Sequence, residues 1–309
     1  MFKNLIIYRT STLAFTLDQL EAALQKAPFI ECGATQEKSA GWVPPRGEAH
    51  GALVESIGGQ WIVRLMVETK AVPGDAMARK VKEMAERIEQ ETGRKPGKKE
   101  TRELKVEARL DLLPMAFTKQ NSTWVWIDPQ ACALVIDTSS QARADEVASS
   151  LVELLPPGFA VALLNTQTSP QAVMSSWLLD GDNLSTYDRW NFDIGRDCEL
   201  KSTGEEKAVV RYASHPLDIQ EVLDHINAGL LPTRLALTWD DRVSFTLTQQ
   251  LQVRGIRFLD SVFENRQSDD GGFDADVAIA TGELGKLITD LVEALGGEAE
   301  AASLQGEDE

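Results

Sequence analysis

Two hydrophobic periods alternate along this chain, and the changes of period mark its elements. Leu5, Ile6, Ile7 and Tyr8 form a β-rich opening run. Thr16 and Gln19 stand at capping-box spacing, at the head of a helix that puts Leu17, Leu20 and Leu24 on one face. After a Gly58-Gly59 turn, Trp61 to Glu68 alternates as a half-buried strand does. Pro73 is placed to start a helix in which Met77, Val81, Met84 and Ile88 recur at three and four, and Gly93 is placed to stop it. Pro96-Gly97 then makes a turn, and a second helix is predicted from about Lys99 to Leu113 with Leu104, Ala108 and Leu112 inward. Residues 73–113 therefore read as a helical hairpin. Two helices alone bury little, so the hairpin needs a partner surface.

The pattern then returns to strands. Thr123 to Asp137 predicts a hairpin around Asp128-Pro129-Gln130, followed by a helix from about Gln141 to Leu155 that Pro156-Pro157-Gly158 ends. Phe159 to Leu164 reads as a short buried strand, and Ser169-Pro170 opens a helix that Gly181 closes. Tyr187 to Tyr212 has no clear period, although Val209 to Tyr212 reads as extended. Leu217 to Ile226 is a short helix before Gly229. Leu235–Trp239, Val243–Thr248 and Val253–Phe258 make an antiparallel meander. A last helix, about Phe273 to Leu295, turns Val277, Leu284, Ile288, Leu291 and Leu295 inward and stops at Gly296-Gly297. Strands mixed irregularly with helices indicate an α+β fold with antiparallel sheets, not a doubly wound sheet.

Length and composition add bounds. A chain of 309 residues suggests about two domains, and 43% hydrophobic with 26% charged residues fits a folded globular protein. No apolar run approaches the roughly 20 residues of a membrane helix, and Met1 to Arg9 reads as a strand, not a signal peptide. Three scattered cysteines, Cys32, Cys132 and Cys198, fit a reduced, cytoplasmic setting.

Charge changes the picture most. The formal net charge is −17, yet Arg94, Lys95, Lys98, Lys99, Arg102 and Lys105 face only Glu100 and Glu103 in their stretch, a local +4 on the predicted hairpin. Such an island points to polyanion contact, against the plainer reading of a solvated helix face with Glu100 and Glu103 in partial pairing. The opposite extreme is Glu264 to Glu309, with thirteen acidic and two basic residues. It reads as a solvated acidic end or a docking tail for a basic partner.

Catalytic chemistry is hard to find. His50, His215 and His225 have no metal-ligand spacing to one another or to a cysteine. Gly285-Lys286 fails as a phosphate loop, and Gly-x-Ser-x-Gly is missing. Asp269, Asp270, Asp274 and Asp276 lack calcium-loop spacing and read as carboxylates at a helix N-terminus, and Asp224-His225 as a helix-surface pair. No enzyme, cofactor or metal is expected.

Ordered strings across nearly the whole chain resemble one bacterial family, the recombination-associated RdgC proteins. They are Phe2-Lys3-Asn4-Leu5 with Tyr8-Arg9, Gly41-Trp42-Val43-Pro44-Pro45, Leu112-Leu113-Pro114, Ala116-Phe117 and Trp126-Ile127-Asp128. Thr233-Arg234-Leu235-Ala236-Leu237 with Trp239, Phe273-Asp274-Ala275-Asp276, Thr281-Gly282-Glu283-Leu284 and Leu295-Gly296-Gly297-Glu298 complete the set. The resemblance implies a non-enzymatic protein that binds double-stranded DNA with little sequence preference and restrains RecA recombinase. It further implies a horseshoe-shaped subunit closing into a ring-shaped homodimer with a positively lined hole, in the cytoplasm and on the nucleoid. Under it, residues 1–72 continued by 114–165 form a central part, 73–113 a helical tip, and 166–309 a base.

Matched position by position, Arg94 takes a basic place at the tip and Phe117 an aromatic place that plugs a partner pocket at ring closure. Met115, Ser214-His215 and Leu230 depart from basic or polar family residues. The expected DNA contacts are therefore Arg94, Lys95, Lys98, Lys99, Arg102 and Lys105, with Arg211 and Arg234 secondary. Two other readings remain open: an interaction protein that binds recombinase through its acidic surface, and a metal-dependent nuclease using the acids at 269–276.

Overall fold

The opening apolar run becomes the strand on which both halves of the sheet meet. In the computed structural model, which describes residues 1–180, 191–202, 204, 208–263 and 272–299, β1 (Asn4–Thr10) has one edge on β6 (Ala133–Ile136). Its other edge is shared by β12 (Val253–Phe258) and the short β7 (Val161–Leu163). Beyond β6 lie β5 (Phe117–Asp128), β4 (Gln60–Ala71) and β2 (Lys38–Val43), with β3 (Glu55–Ile57) also against β4. Beyond β12 lie β11 (Val243–Thr248), β10 (Leu230–Trp239), β8 (Phe192–Ser202) and β9 (Val209–Tyr212). All named pairings are antiparallel, as the α+β expectation required.

Because strand side chains alternate between faces, β1 feeds two cores. Leu5 and Ile7 point into a cluster shared with α5 (Pro170–Asp180), α6 (Gln220–Asn227) and α7 (Phe273–Ala294). Ile6 and Tyr8 point into a second cluster, closed by α1 (Leu17–Leu24) and α4 (Gln141–Leu154). α1 and α4 thus lie on one face of the sheet and α5 and α6 on the other, and α7 shares the α5–α6 face while also packing on Ile62, Trp126 and Val135 of the β4–β5–β6 half. Burial holds α7 in place. Its N-cap, Gly272, makes no side-chain cap, whereas Val277, Leu284, Leu287, Ile288 and Leu291 are buried, each contributing about 1.5–3 kcal/mol. Trp239 adds an indole N–H bond of 2.8 Å to Asp290.

The Gly-Trp-Val-Pro-Pro string has a steric cause. The backbone of 27–29 lies along β2, with Trp42 N–H donating to Ala27 O and Phe29 N–H to Trp42 O, both at 3.0 Å. A Cβ on Gly41 would stand 2.5 Å from the Phe29 nitrogen and from the Pro28 carbonyl oxygen. Gly41→Ala is therefore expected to cost about 2–3 kcal/mol, read as a fall in Tm of several degrees with the same cooperative transition.

Several boundaries differ from the sequence pattern. β5 starts at Phe117 and not at Thr123, because β4 supplies backbone partners from Ala71↔Phe117 onward. The expected buried strand at 159–164 is buried only at its flanks, Phe159 and Leu164, while Leu163 is exposed. α6 begins at Gln220, three residues later than the pattern suggested. The unread stretch before Tyr212 contains β8, which alternates poorly because it is paired on both edges and irregular against β10.

A candidate nucleic-acid interface on the helical hairpin

The hairpin predicted at 73–113 forms as α2 (Gly74–Thr92) and α3 (Lys98–Leu112), carried on the far end of the β4–β5 ribbon. α2 leaves from Ala71, and α3 returns through a single 3-10 turn (Leu113–Met115) into Phe117. Its own core is thin. α2 has no fully buried residue, and α3 has only Leu104 and Ala108, with Met77, Val81, Met84 and Ile88 half-buried against them. Two ion pairs assist: Lys80–Asp111 at 3.4 Å across the helices and Arg109–Glu37 at 2.6 Å to the segment before β2. Exposed pairs of this kind add little, so the hairpin belongs to the low-stability end of the molecule.

The basic island divides into two groups at the turn. Arg94 grips Glu100 through two bonds, Nη1 to Oε2 at 2.7 Å and Nη2 to Oε1 at 2.6 Å. The same carboxylate accepts the Gly97 N–H at 2.8 Å and so caps α3. Together these hold the Glu100 carboxyl down at about 2 and raise the Arg94 guanidinium above its usual value, the carboxylate bond first in each case. Arg94 is thus a structural clamp at the turn. Lys95, Lys98, Lys99, Arg102 and Lys105 are exposed, and among the described residues none forms an ion pair. Lys98, Arg102 and Lys105 fall at i, i+4 and i+7, which lays one cationic stripe along α3 on a flank between the buried Leu104 and Ala108 and the exposed Val106 and Leu110.

Because the Glu100 pKa is lowered on folding, its contribution is present above the ordinary value of 4.5 and is lost as pH falls toward 2. Amide protection at 97–104 should fall across that window while the sheet keeps its own. Glu100→Gln is expected to do two opposite things at neutral pH. It weakens the cap, read as faster amide exchange at the turn, and it frees Arg94 while removing one negative charge, read as tighter polyanion binding by several-fold.

Phe117 is 89% exposed and Met115 is 74% exposed, on a chain that buries most of its other aromatic rings. Val106 and Leu110, one turn apart on α3, are exposed as well. The apolar stripe and the cationic stripe occupy one hairpin.

Of the two secondary arginines, Arg211 is engaged: its Nε donates to Glu199 at 2.8 Å, and Lys201 also reaches that carboxylate at 2.9 Å. Lys201 first, then Arg211 and Thr233, holds the Glu199 carboxyl down at about 2. Arg234 is exposed on β10 and forms no ion pair among the described residues. Arg254 and Arg257 on β12, which the sequence pattern does not single out, come to the same face of the sheet. Strict alternation would separate residues three apart. A register shift between Ser244 and Thr246 intervenes, where Gly255 takes φ +64°, so Arg254 stands opposite Thr246 and Arg257 opposite Ser244. The Val-Arg-Gly-Ile-Arg spacing with its central glycine was the available signal.

The acidic cluster does not assemble as a cation site within view. Asp274 is bound to Arg46 at 2.5 Å in the first turn of α7, and Asp269 and Asp270 lie outside the described residues. Among the described residues no group of three His, Cys, Asp or Glu side chains is placed to hold a metal ion, and no helix is long and apolar enough to cross a membrane. Asp224 accepts from Gln220, and His225 stands 3.7 Å from Glu221, both along α6. The three cysteines are free, and burial pushes the Cys198 thiol up to about 12.

The family model for RdgC, described as "Putative exonuclease, RdgC", matches residues 1–298. The chain is 43% identical over 305 residues to a recombination-associated protein RdgC of Dechloromonas aromatica, covering 96% of this chain and 98% of that one. It is 42% identical to the protein of that name in Herminiimonas arsenicoxydans and 40% to that in Bordetella pertussis, again covering 96% of this chain and 98% of each relative.

Proposed function

This chain belongs to the RdgC family, and from that premise we propose that it binds double-stranded DNA without sequence preference, encircles it as a ring-shaped homodimer and restrains RecA-dependent recombination. The observation that carries the DNA contact is the group of five exposed cations, Lys95, Lys98, Lys99, Arg102 and Lys105, which form no ion pair among the described residues on a chain of net charge −17. Each phosphate they neutralise adds about 0.9 to the slope of log affinity against log salt, and phosphate contacts carry no base information. The exposed Phe117 and Met115 beside them supply the apolar anchor that a second copy would cover at the tip. The relatives' shared name, recombination-associated protein, supports a role for that contact in recombination. A nucleoid-associated, cytoplasmic protein is the setting this reading requires.

The word exonuclease in the family description suggests hydrolysis instead, which requires grouped ligands for a metal. We favour binding without catalysis, since the described carboxylates nearest the expected cluster are engaged in a helix end and an ion pair. Direct recombinase binding through the acidic surface and the C-terminal helix is the second reading. There the described carboxylates Asp274, Glu283 and Asp290 of α7 are engaged by Arg46, Arg242 and Trp239, whereas 264–271 and 300–309 lie outside the described residues. The test is an equilibrium titration with duplexes of unrelated sequence. Equal affinities that fall steeply with salt, with the DNA intact after incubation in magnesium, are expected. Strong preference for one sequence, or shortening of DNA ends, would overturn the reading.

A further inference from the structure

The half of the sheet that carries α5, α6 and α7 on one side leaves its other side bare over β10, β11 and β12. From it we infer a second phosphate-binding surface, made by Arg234, Arg254 and Arg257 with the β11 hydroxyls between them. This rests on the duplex-binding reading and extends it to a place remote in sequence from the hairpin.

Register places the groups. Arg234 stands opposite Thr248, Arg254 opposite Thr246 and Arg257 opposite Ser244. Thr248 is buried, with its hydroxyl accepting the Gln252 N–H, so β11 presents the half-buried Ser244 and Thr246 between arginines on both neighbouring strands. Arg234 and Arg254 are two strands apart, roughly 10 Å. They are close enough that burial first, and then the charge of Arg234, lowers the Arg254 guanidinium below its ordinary value. Two cations at that range repel, and a shared anion would relieve the repulsion.

Among the described residues nothing on the face relieves it. There Arg254 donates to neutral oxygens, Ser139 O at 2.9 Å and Gln252 Oε1. Arg234 and Arg257 are exposed and form no ion pair among the described residues. The nearby carboxylates are committed elsewhere. Glu199 is held by Lys201, Arg211 and Thr233, and Asp137 accepts the Lys3 and Asn4 backbone N–H groups at 2.9 and 2.8 Å. Asp193 stands opposite Thr238, toward the far end of β10.

The bulges that aim these side chains also interrupt the sheet. One lies at Gly255, and the other between Pro232 and Arg234 on β10. The Ser244 and Thr246 hydroxyls with guanidinium forks on either side suit the backbone of a nucleic acid, whose phosphate oxygens accept from both. An acidic protein surface is the other polyanion it would fit, and charge density favours the duplex.

The experiment is the salt dependence of duplex affinity for the full-length protein carrying Arg234→Gln and Arg257→Gln, with Arg257→Lys as the charge-preserving control. Both replaced side chains are exposed, so the fold should hold, and an unchanged Tm verifies it. The double variant is expected to lose about 1.8 from the salt slope and at least tenfold in affinity, while Arg257→Lys keeps the slope. A double variant with the parental slope overturns the inference. The hairpin stripe variant, measured in parallel, separates the failures. If it loses binding and the sheet variant does not, only this surface falls. If neither variant loses binding, the duplex reading falls with it.

Discussion

Replacing Lys98, Arg102 and Lys105 together by glutamate is expected to lower duplex affinity by roughly two to three orders of magnitude near physiological salt and to flatten the salt slope by about 2.7. The three side chains lie at i, i+4 and i+7 on α3, exposed, and among the described residues none forms an ion pair. Each therefore offers its full charge to a phosphate, and reversal adds repulsion to the lost contact. Because the stripe makes no contact that holds the hairpin, Tm should change by no more than a degree or two. Arg94 is a poorer choice for this test, since its removal would also disturb the Glu100 cap. Loss of binding through Arg94 alone would not distinguish contact from collapse. A stripe variant that binds duplex as the parent does would remove the hairpin from the mechanism.

Phe117→Ser is expected to break assembly without touching the folded subunit. The ring is 89% exposed, at the first pairing of the β4–β5 ribbon, so its removal opens no cavity and monomer stability should stay unchanged. In a dimer the same ring would be an anchor of the kind that costs 2 kcal/mol or more when truncated, and two-fold symmetry doubles the loss. At about 1.4 kcal/mol per tenfold, the dimer dissociation constant should rise by roughly three orders of magnitude. Sedimentation across a dilution series reads it directly. Retention of DNA should fall with assembly, since a ring open at the tip lets duplex escape. A variant as dimeric as the parent at every concentration would reject the role of Phe117.

How far the sequence announced this molecule differs by element. The α1 capping box was legible because Thr16 and Gln19 act locally, each bonding the other's backbone. α7 was legible because ten of its residues are buried at helical spacing. β8 and the first residues of β5 were not, because their strand character comes from partners distant in sequence rather than from their own alternation. The basic island was visible as composition, yet its division was not. Only the folded turn brings Arg94 back onto the carboxylate that starts α3. Arg254 and Arg257 were missed for the converse reason: a bulge at Gly255 changes which residues share a face. Where a side chain's role is fixed by a neighbour within four residues, pattern suffices. Where register decides it, pattern does not.

The central claim is that two copies close around duplex, and topology tests it more directly than affinity does. The protein would be loaded at low salt onto the same duplex as a closed circle and as a linear molecule, then washed at high salt, where phosphate contacts are screened. Encirclement predicts a salt-resistant fraction on the circle that is lost when the circle is cut, because a ring can leave only over an end. Equal release from circle and line would contradict it.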